Sequence, residues 1–381
     1  MEHDFYGEWE LKSMATDLGL PFSDMLESYL AAKDKAPPEH KSIMWDFWPE
    51  DYERVICNTE AWPYFLRNSL STGIGDDITF FYEFGNLENP KDNPNSPSEL
   101  LRRYDFSILL PETLNQPEHI EAIKNRFLNV MTICGIEFVL SNLAPDTGSP
   151  STFDFTYKTS ESATAISFKA NYHDLCMIYY IWQIYRVAKM YLRKSATIVE
   201  IGGGFGGMLA KMKDLFPDTK CIMFDLPEVN VCQTYYLSQR YPNARILGFK
   251  DFVQRGPVIF EEKADFLILP GWLIQEMPND TVDLVVNARS MMEMTLEVID
   301  FYFSWIQRAV PVGGLFACYN RYMKLTAFKD YPYDDRWRTI VSQTSIFQTQ
   351  MHELIVERTK TPQAFPVKEA LKSLMPFDQN L

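Results

Sequence analysis

Cysteine and histidine are scarce in this chain of 381 residues, and neither occurs at a spacing typical of a metal or disulfide site. C-x-x-C and H-E-x-x-H patterns are missing, and no aspartate cluster is comparable to a divalent-cation site, so we expect no required metal. Most cysteines lie in apolar runs, which predicts reduced, packed thiols in a cytoplasmic protein. The six are Cys57, Cys134, Cys176, Cys221, Cys232 and Cys318.

Basic residues are also few, since 36 Lys and Arg face 51 Asp and Glu and leave a formal net charge of −15. This balance argues against binding to nucleic acid or to anionic lipid. The most apolar helical stretch, LCMIYYIWQIYRVAKMYL, is interrupted by Gln183, Arg186 and Lys189 and is too short and polar to span a bilayer. The acidic start MEHDFYGEWE lacks the apolar core of a signal peptide. We expect a small-molecule partner and leave the oligomeric state open.

The first part of the chain has a helical texture. Residues 1–150 are predicted to form an α-rich N-terminal domain, with one helix from Pro117 to about Cys134. The stretch TFDFTYKTSESATAISF then alternates aromatic or aliphatic residues with polar ones. This alternation predicts a β-hairpin within residues 151–170, which we expect to cover a functional site.

The texture changes after this hairpin. Asn171 and Asp174 predict the start of a long, buried helix that continues to about Leu192. Short apolar runs then alternate with helical patterns; the runs are TIVEI, CIMFD, ADFLILP, VDLVVN, GGLFACY and HELIVER. Strands that alternate with helices indicate a doubly wound, mostly parallel α/β sheet over residues 171–381, and continuous apolar runs suit strands that are buried on both faces.

The stretch VEIGGGFGGM, Val199 to Met208, contains five glycines between a predicted strand and a predicted helix. Such a turn lies at the carboxyl end of the strand, where open α/β sheets bind ligands, and glycine permits close approach of the backbone. A P-loop is excluded because no Gly-Lys-Ser/Thr follows. Two fingerprints overlap here, G-x-G-x-x-G for dinucleotides and E-x-G-x-G-x-G for S-adenosylmethionine. A tight turn without a ligand is the plain alternative.

Glu200 favours the second fingerprint. A dinucleotide site keeps this strand apolar because it must hold an anionic pyrophosphate. A carboxylate suits S-adenosylmethionine, which carries a sulfonium and an ammonium group. Asp225 ends the next strand, where an acid binds ribose hydroxyls in either kind of site. The alternatives are a charge at a strand edge for Glu200 and a helix cap for Asp225, and an oxidoreductase stays the rival enzyme class.

The combination of EIGGGFGG, FDLPEVN, VDLVVN and VPVGGLFACY resembles the class I S-adenosylmethionine-dependent methyltransferases over residues 197–319. A narrower resemblance, to a sugar O-methyltransferase family of bacterial gene clusters, depends on TGSPSTFDF, EIGGGFGG, VVNARSMMEM and FACYNR. The resemblance implies a Rossmann-like sheet of seven strands whose last strand is antiparallel, with HELIVER in or near the terminal hairpin.

The resemblance also implies a set of cofactor-binding residues. Glu200 would hold the amino end of the cofactor and Asp225 its ribose, with Leu226 beside the adenine. Trp272 would stack on the adenine or lie in the core, and Gly207 is incidental. The remaining expected contacts are Gly202, Gly203, Gly204, Gly206, Asn287 and Tyr172.

Methyl transfer to a hydroxyl is helped by a general base. Glu293 lies just after the fourth strand of the sheet and is one candidate, although Ser290-x-x-Glu293 also reads as a capping box. His173, in the first turn of the long helix, is the other, with a packed or solvated histidine as the alternative.

Three further residues are candidates for binding the methyl acceptor: Arg289, Asn320 and Arg321. A guanidinium at the mouth of the site could bind a carboxylate or phosphate, although a surface ion pair is a frequent alternative. Together these patterns predict an O-methyltransferase that acts on a sugar or a glycosylated small molecule. The alternatives are an O- or N-methyltransferase that modifies another natural product and a non-catalytic binding subunit of the same fold.

Overall fold

The computed structural model describes residues 22–35, 37, 117–144, 147, 153–157, 165–170, 172–192, 195–346 and 349–374. The chain separates into two compact units, one formed by residues 1–49 with 184–381 and the other by residues 50–183. This division does not follow the domain boundaries predicted from the sequence at residues 150 and 170. Among the described helices, none is long and apolar enough to cross a membrane.

The unit of residues 50–183 contains two helices, a hairpin and the start of a third helix. These are α2 (Pro117–Cys134), α3 (Ile136–Ser141), β1 (Phe153–Tyr157), β2 (Ile166–Ala170) and α4 (Tyr172–Ala188). The two predicted hairpin strands pair antiparallel, with the Phe155 and Phe168 rings stacked at 5.4 Å. Asp174 accepts a hydrogen bond of 2.7 Å from the backbone N–H of Ala144, an interaction that the sequence does not predict.

The other unit contains one eight-stranded sheet. Its strands are β3 (Thr197–Ile201), β4 (Lys220–Asp225), β5 (Ile246–Leu247), β6 (Phe266–Pro270), β7 (Leu284–Ala288), β8 (Leu315–Arg321), β9 (Trp337–Thr344) and β10 (Met351–Arg358). The helices of this unit, besides the end of α4, are α1 (Phe22–Ala32), α5 (Gly207–Leu215), α6 (Pro227–Arg240), α7 (Phe249–Arg255), α8 (Leu296–Ala309) and α9 (Val367–Lys372). Short 3-10 turns include Gly271–Glu276 and Met291–Glu293.

The strand order is β5-β6-β4-β3-β7-β8-β10-β9, and β10 pairs antiparallel with both of its neighbours. All other pairs are parallel. This confirms the predicted α/β fold with an antiparallel last strand, and HELIVER lies in β10. The resemblance implied seven strands where the sheet has eight. The apolar runs of the sequence include neither β5, which has two residues, nor β9, most of whose residues are exposed or half-buried.

One hydrophobic cluster of this unit covers one face of the sheet, and the opposite face is buried as well, at residues such as Ile198, Met223 and Val286. Helix α8 buries Ile299, Phe303 and Ile306, which recur at helical spacing, against strand residues such as Phe224 and Phe316. Five cysteines are buried and free, as predicted, while Cys57 lies outside the described residues. The packed core supports the strand ends, where β3, β4, β7 and β8 carry most of the predicted site.

Helix α1 packs on α6 and α7 and so belongs to the sheet unit. The backbone N–H of Lys250 donates to the Ser28 hydroxyl over 3.1 Å. The Lys250 ammonium lies 2.8 Å from Asp24 and 2.7 Å from Glu27. This early segment is therefore part of the unit that the sequence assigned to residues 171–381.

Candidate functional site

The glycine turn after β3 has the backbone shape that its sequence predicts. Gly202, Gly204 and Gly206 have φ values of +68°, +56° and +93°, in the left-handed region that favours glycine. A Cβ at Gly207 would lie 2.5 Å from the Phe205 ring, so this glycine serves internal packing. The turn therefore presents backbone without side chains at the carboxyl end of a central strand, half-buried at Gly202, Gly203 and Gly204.

Glu200 is 3% exposed and its Oε2 has no hydrogen-bond partner in the described part of the chain. A Cβ at Gly203 would lie 2.9 Å from this oxygen, so the turn and the carboxylate are in close contact. Burial, followed by the charge of Asp225, raises the pKa of Glu200 to about 8, against a hydrogen bond from the Leu209 backbone. Since β3 is flanked by β4 and β7, Glu200 is not a charge at a strand edge.

Asp225 ends β4, next to β3, and is half-buried. Its Oδ1 accepts a 2.9 Å hydrogen bond from the N–H of Leu226 and its Oδ2 accepts one of 2.8 Å from Gln233 Nε2. Burial nevertheless raises the pKa of Asp225 to about 7. The N-cap of α6 is Leu226, which makes no side-chain cap, so the alternative of Asp225 as a helix cap is wrong.

A buried carboxyl group, a half-buried one and the glycine turn thus meet at the carboxyl ends of β3 and β4. A buried carboxylate oxygen without a donor is costly unless a ligand satisfies it. The positive charge and hydrogen-bond donors of an amino group would do so, and Asp225 has the chemistry to accept ribose hydroxyls. The residues present therefore fit S-adenosylmethionine, whereas a pyrophosphate would meet two acids.

Asn287 and Asn320 form a fully buried amide pair across β7 and β8. Asn320 Nδ2 donates to Asn287 Oδ1 over 2.7 Å, and Asn287 Nδ2 donates to the carbonyl of Ile201 over 2.8 Å. Each side-chain oxygen also accepts a backbone N–H, from Met291 or Met292. Both amides are therefore engaged within the protein, and the pair holds the turn after β7 against β3 and β8. The cofactor contact of Asn287 and the acceptor contact of Asn320 stay predictions.

That turn carries Glu293 to the vicinity of the glycines. A Cβ at Gly202 would lie 1.8 Å from Ser290 Oγ, so the turns after β3 and β7 touch. The predicted capping box is absent, because Ser290 makes no side-chain cap and Glu293 ends a 3-10 turn. The Glu293 carboxylate forms an ion pair with Lys324. Glu293 is consequently a half-buried, charge-paired carboxylate one short turn from the candidate cofactor site.

Two of the predicted acceptor residues share one environment. Arg289 has φ +63°, unusual for a residue with a side chain, and its N–H donates to the Tyr319 carbonyl over 2.7 Å. Arg321 follows on β8, is half-buried, and has its pKa lowered by burial and then by the charge of Arg289, with Glu293 opposing. Two guanidinium groups and one carboxylate therefore lie within electrostatic reach beside β7 and β8.

Other predicted positions are less informative. Tyr172 and His173 open α4, but their side chains lie outside the described part of the structure. Leu226 is half-buried at the start of α6. Trp272 packs edge-on against Phe249, with ring centroids 6.3 Å apart, and belongs to the periphery of the core.

Two residues of this region were missed in the sequence. Gln233 binds Asp225 from two turns inside α6, and Lys324 pairs with Glu293. Gln233 could have been found from the sequence, because it is a polar residue on an otherwise apolar face of α6. Lys324 carries no comparable local signal, because its partner lies 31 residues away. In the described residues, no cluster of His, Cys, Asp or Glu could hold a metal ion.

Part of the chain is similar to a known protein family. The family model of the O-methyltransferase domain matches residues 147–269, which include the glycine turn, strands β3 to β5 and most of β6. A search of proteins of curated function found no match. The predicted enzyme class, a methyltransferase, and its predicted methyl donor, S-adenosylmethionine, are confirmed for this domain.

Solved structures of methyltransferases resemble the chain at a distance. An rRNA methylase from Streptococcus thermophilus is 17% identical, with a TM-score of 0.34 and coverage of 47% of this chain and 96% of its own. A mitomycin 7-O-methyltransferase is 14% identical, with a TM-score of 0.30 and coverage of 71% and 74%. An O-methyltransferase family 2 protein from Planctomyces limnophilus, in complex with apigenin, is 11% identical, with a TM-score of 0.30 and coverage of 47% and 57%. These similarities are too distant to bear on the acceptor.

Proposed function

We propose that this protein is a cytoplasmic S-adenosylmethionine-dependent O-methyltransferase that transfers a methyl group to a hydroxyl of a sugar or a glycosylated small molecule. The observation that carries the proposal is the buried Glu200 carboxylate, whose Oε2 lacks a partner among the described residues and lies against the glycine turn. A methyl donor that bears an ammonium group satisfies that oxygen. The sugar acceptor is supported by the motifs TGSPSTFDF and VVNARSMMEM.

In this proposal separate residues of the chain bind separate parts of the donor. Glu200 binds the ammonium group, Asp225 accepts the ribose hydroxyls, and Leu226 lies beside the adenine. Gly202, Gly203, Gly204 and Gly206 allow the backbone to approach the methionine and ribose parts. The bound cofactor supplies an electrophilic methyl group, and the protein's contribution is orientation and electrostatics.

Glu293 is the proposed general base. It would accept the proton of the acceptor hydroxyl as that oxygen takes up the methyl group from the bound donor. The ion pair with Lys324 limits the rotation of the carboxylate. His173 is the second candidate for this role, from the first turn of α4.

Arg289 and Arg321 are the proposed acceptor-binding residues. A half-buried guanidinium that lies near a second one is stabilised by an anion, and guanidinium groups bind carboxylates and phosphates in a bidentate manner. An acidic sugar or a sugar phosphate therefore suits this position better than a neutral sugar.

Two measurements test the proposal. Calorimetry should detect binding of S-adenosylhomocysteine and none of NAD; tight NAD binding would overturn the methyl-donor site. Isotope-labelled methyl transfer should then be measured on a panel of neutral sugars, uronic acids, sugar phosphates and nucleotide sugars, with phenols and amines as comparison acceptors. Labelling of phenols or amines alone would show that the acceptor is another natural product and not a sugar. Cofactor binding without labelling of any acceptor would instead favour a non-catalytic subunit.

A further inference from the structure

The Asp225 carboxylate is held by a side chain outside every expected motif. Gln233 is fully buried in α6, and its Nε2 donates a 2.8 Å hydrogen bond to Asp225 Oδ2. The other oxygen, Oδ1, accepts the 2.9 Å hydrogen bond from the N–H of Leu226. One donor on each oxygen fixes the rotation of the carboxylate about its side-chain bonds.

Asn230, one turn earlier in α6, orients this glutamine. Its Nδ2 donates to Gln233 Oε1 over 3.0 Å, so the amide of Gln233 presents its NH₂ group to Asp225. Asn230 Oδ1 is buried and has no partner in the structure as described. An unsatisfied buried acceptor is unfavourable. Asn230 leaves this acceptor unsatisfied and at the same time fixes the amide of Gln233. A role in the site explains this arrangement more easily than packing does.

The Asp225 carboxylate also lies close to the glycine turn. The backbone N–H groups of Gly203 and Gly204 lie near enough to lower its pKa, after the contributions of Leu226 and Gln233. Without Gln233, Oδ2 loses its side-chain donor and these amides become the main remaining donors besides Leu226. Gln233 therefore keeps one oxygen on the side of α6.

We propose that Gln233 is a positioning residue of the cofactor site, which holds the Asp225 carboxylate in the orientation that accepts the ribose hydroxyls, and that Asn230 fixes the amide of Gln233 for this purpose. The inference depends on the proposed role of Asp225 in binding S-adenosylmethionine. It assigns to α6 a function in nucleoside binding beyond its packing on the sheet.

The ionisation of Asp225 can be followed through the pH dependence of cofactor binding. If the role of Gln233 were purely structural, its replacement would leave this pH dependence unchanged. The groups that sense its charge are Glu200 on β3, Cys232 on α6 and Tyr302 on α8. Burial keeps the pKa of Cys232 near 12 and that of Tyr302 well above its ordinary value, so both stay neutral between pH 6 and 9. Only Glu200 titrates in the same range, and it is present in every variant compared.

The experiment measures binding of S-adenosylhomocysteine by calorimetry from pH 6 to pH 9 in the full-length protein. The variants are Gln233→Leu, which removes the donor, Gln233→Glu, which places a second carboxylate against Asp225, and Asn230→Leu, which leaves Gln233 unfixed. The matched control is Ser238→Ala, which removes a 2.8 Å hydrogen bond to the Tyr235 carbonyl one turn further along α6. Thermal denaturation of each variant verifies folding.

At pH 7.5 we expect Gln233→Leu to weaken binding about tenfold or more, because a hydrogen bond to a charged group is lost. Gln233→Glu should weaken it further, Asn230→Leu less, and Ser238→Ala not measurably. The pH above which binding becomes tight should rise by about one unit in Gln233→Leu, because the ionised form of Asp225 loses a donor.

Equal affinity and an unchanged pH profile in folded Gln233→Leu and Gln233→Glu would overturn the inference. If Gln233→Leu does not fold, Asn230→Leu decides, and wild-type binding in that variant is the contrary result. Absence of S-adenosylhomocysteine binding by the wild-type protein would instead refute the proposed function itself, so the two failures are distinguishable.

Discussion

The hydroxyl of Ser290 occupies the place that a side chain at position 202 would need. A Cβ on Gly202 would lie 1.8 Å from Ser290 Oγ and 2.4 Å from Ser290 Cβ. Two turns that are far apart in sequence, after β3 and after β7, are therefore in direct contact. The turns that carry the candidate donor site and the candidate base are linked through this contact.

Gly202→Ala should destabilise the protein by about 2–4 kcal/mol, from its left-handed φ and from the clash with Ser290. The matched control is Gly256→Ala, since Gly256 has φ +67° and a Cβ there meets no atom within 4 Å. Chemical denaturation gives the free energy of unfolding of both variants. The difference between them separates the cost of the left-handed φ, which both share, from the clash with Ser290. The double change Gly202→Ala with Ser290→Gly should recover most of the difference, and equal losses in the two single variants would contradict the contact.

Glu200→Gln should weaken S-adenosylhomocysteine binding about tenfold or more, because the ammonium group loses its buried counter-charge. The same change should stabilise the ligand-free protein at high pH. Burial raises the pKa of Glu200 in the folded state to about 8, so native Glu200 costs stability as pH rises from about 4.5 through 8. At pH 9 we expect a gain of about 2 kcal/mol or more.

Calorimetry and thermal denaturation at pH 6 and pH 9 measure both effects of this substitution. Exposed Glu276 provides the control Glu276→Gln, which should change neither quantity. If Glu200→Gln lowered both the affinity and the stability at pH 9, Glu200 would not be a buried carboxylate whose charge lacks a partner in the ligand-free protein.

Glu293→Gln should reduce kcat by about 10²–10⁴-fold and leave S-adenosylhomocysteine affinity unchanged, as expected for removal of a general base. The control Glu297→Gln lies at the exposed start of α8 and should retain full turnover. Single-turnover labelling with any acceptor found in the panel provides the measurement. A change limited to the melting temperature would assign Glu293 to stabilisation of its turn and leave the base to His173.

Asn320→Leu should lower the free energy of unfolding by about 2–3 kcal/mol, because Asn287 Oδ1 and the N–H of Met292 lose a buried partner. The KM for the acceptor should stay unchanged when turnover is corrected for the folded fraction. Arg321→Met provides the contrast, because it should raise that KM at similar stability. A raised KM in Asn320→Leu would restore the predicted direct contact with the acceptor.

Much of the sheet and the left-handed glycine turn of the candidate donor site could be predicted because the signals are local. Continuous apolar runs mark parallel strands, and three glycines at alternate positions mark a turn with left-handed backbone. Glu200 is informative because it lies within such a run, where a charge must be buried. The strand β5 was missed, since two residues carry no period, and so was the pairing of Asp225 with Gln233 across two turns of α6.

The amino-acid sequence alone was sufficient for the α/β class and the methyl donor, and it singled out Glu200 and Asp225 as candidates to bind that donor, since each of these inferences depends on neighbouring residues. The tertiary structure was needed to show which polar side chains satisfy one another. It pairs Asn287 with Asn320, 33 positions apart, and Glu293 with Lys324, 31 apart, because β7 and β8 are adjacent in the sheet. Hydrogen bonds and ion pairs act over about 3 Å, so only the folded chain decides which candidate residues are engaged within the protein and which can receive a ligand.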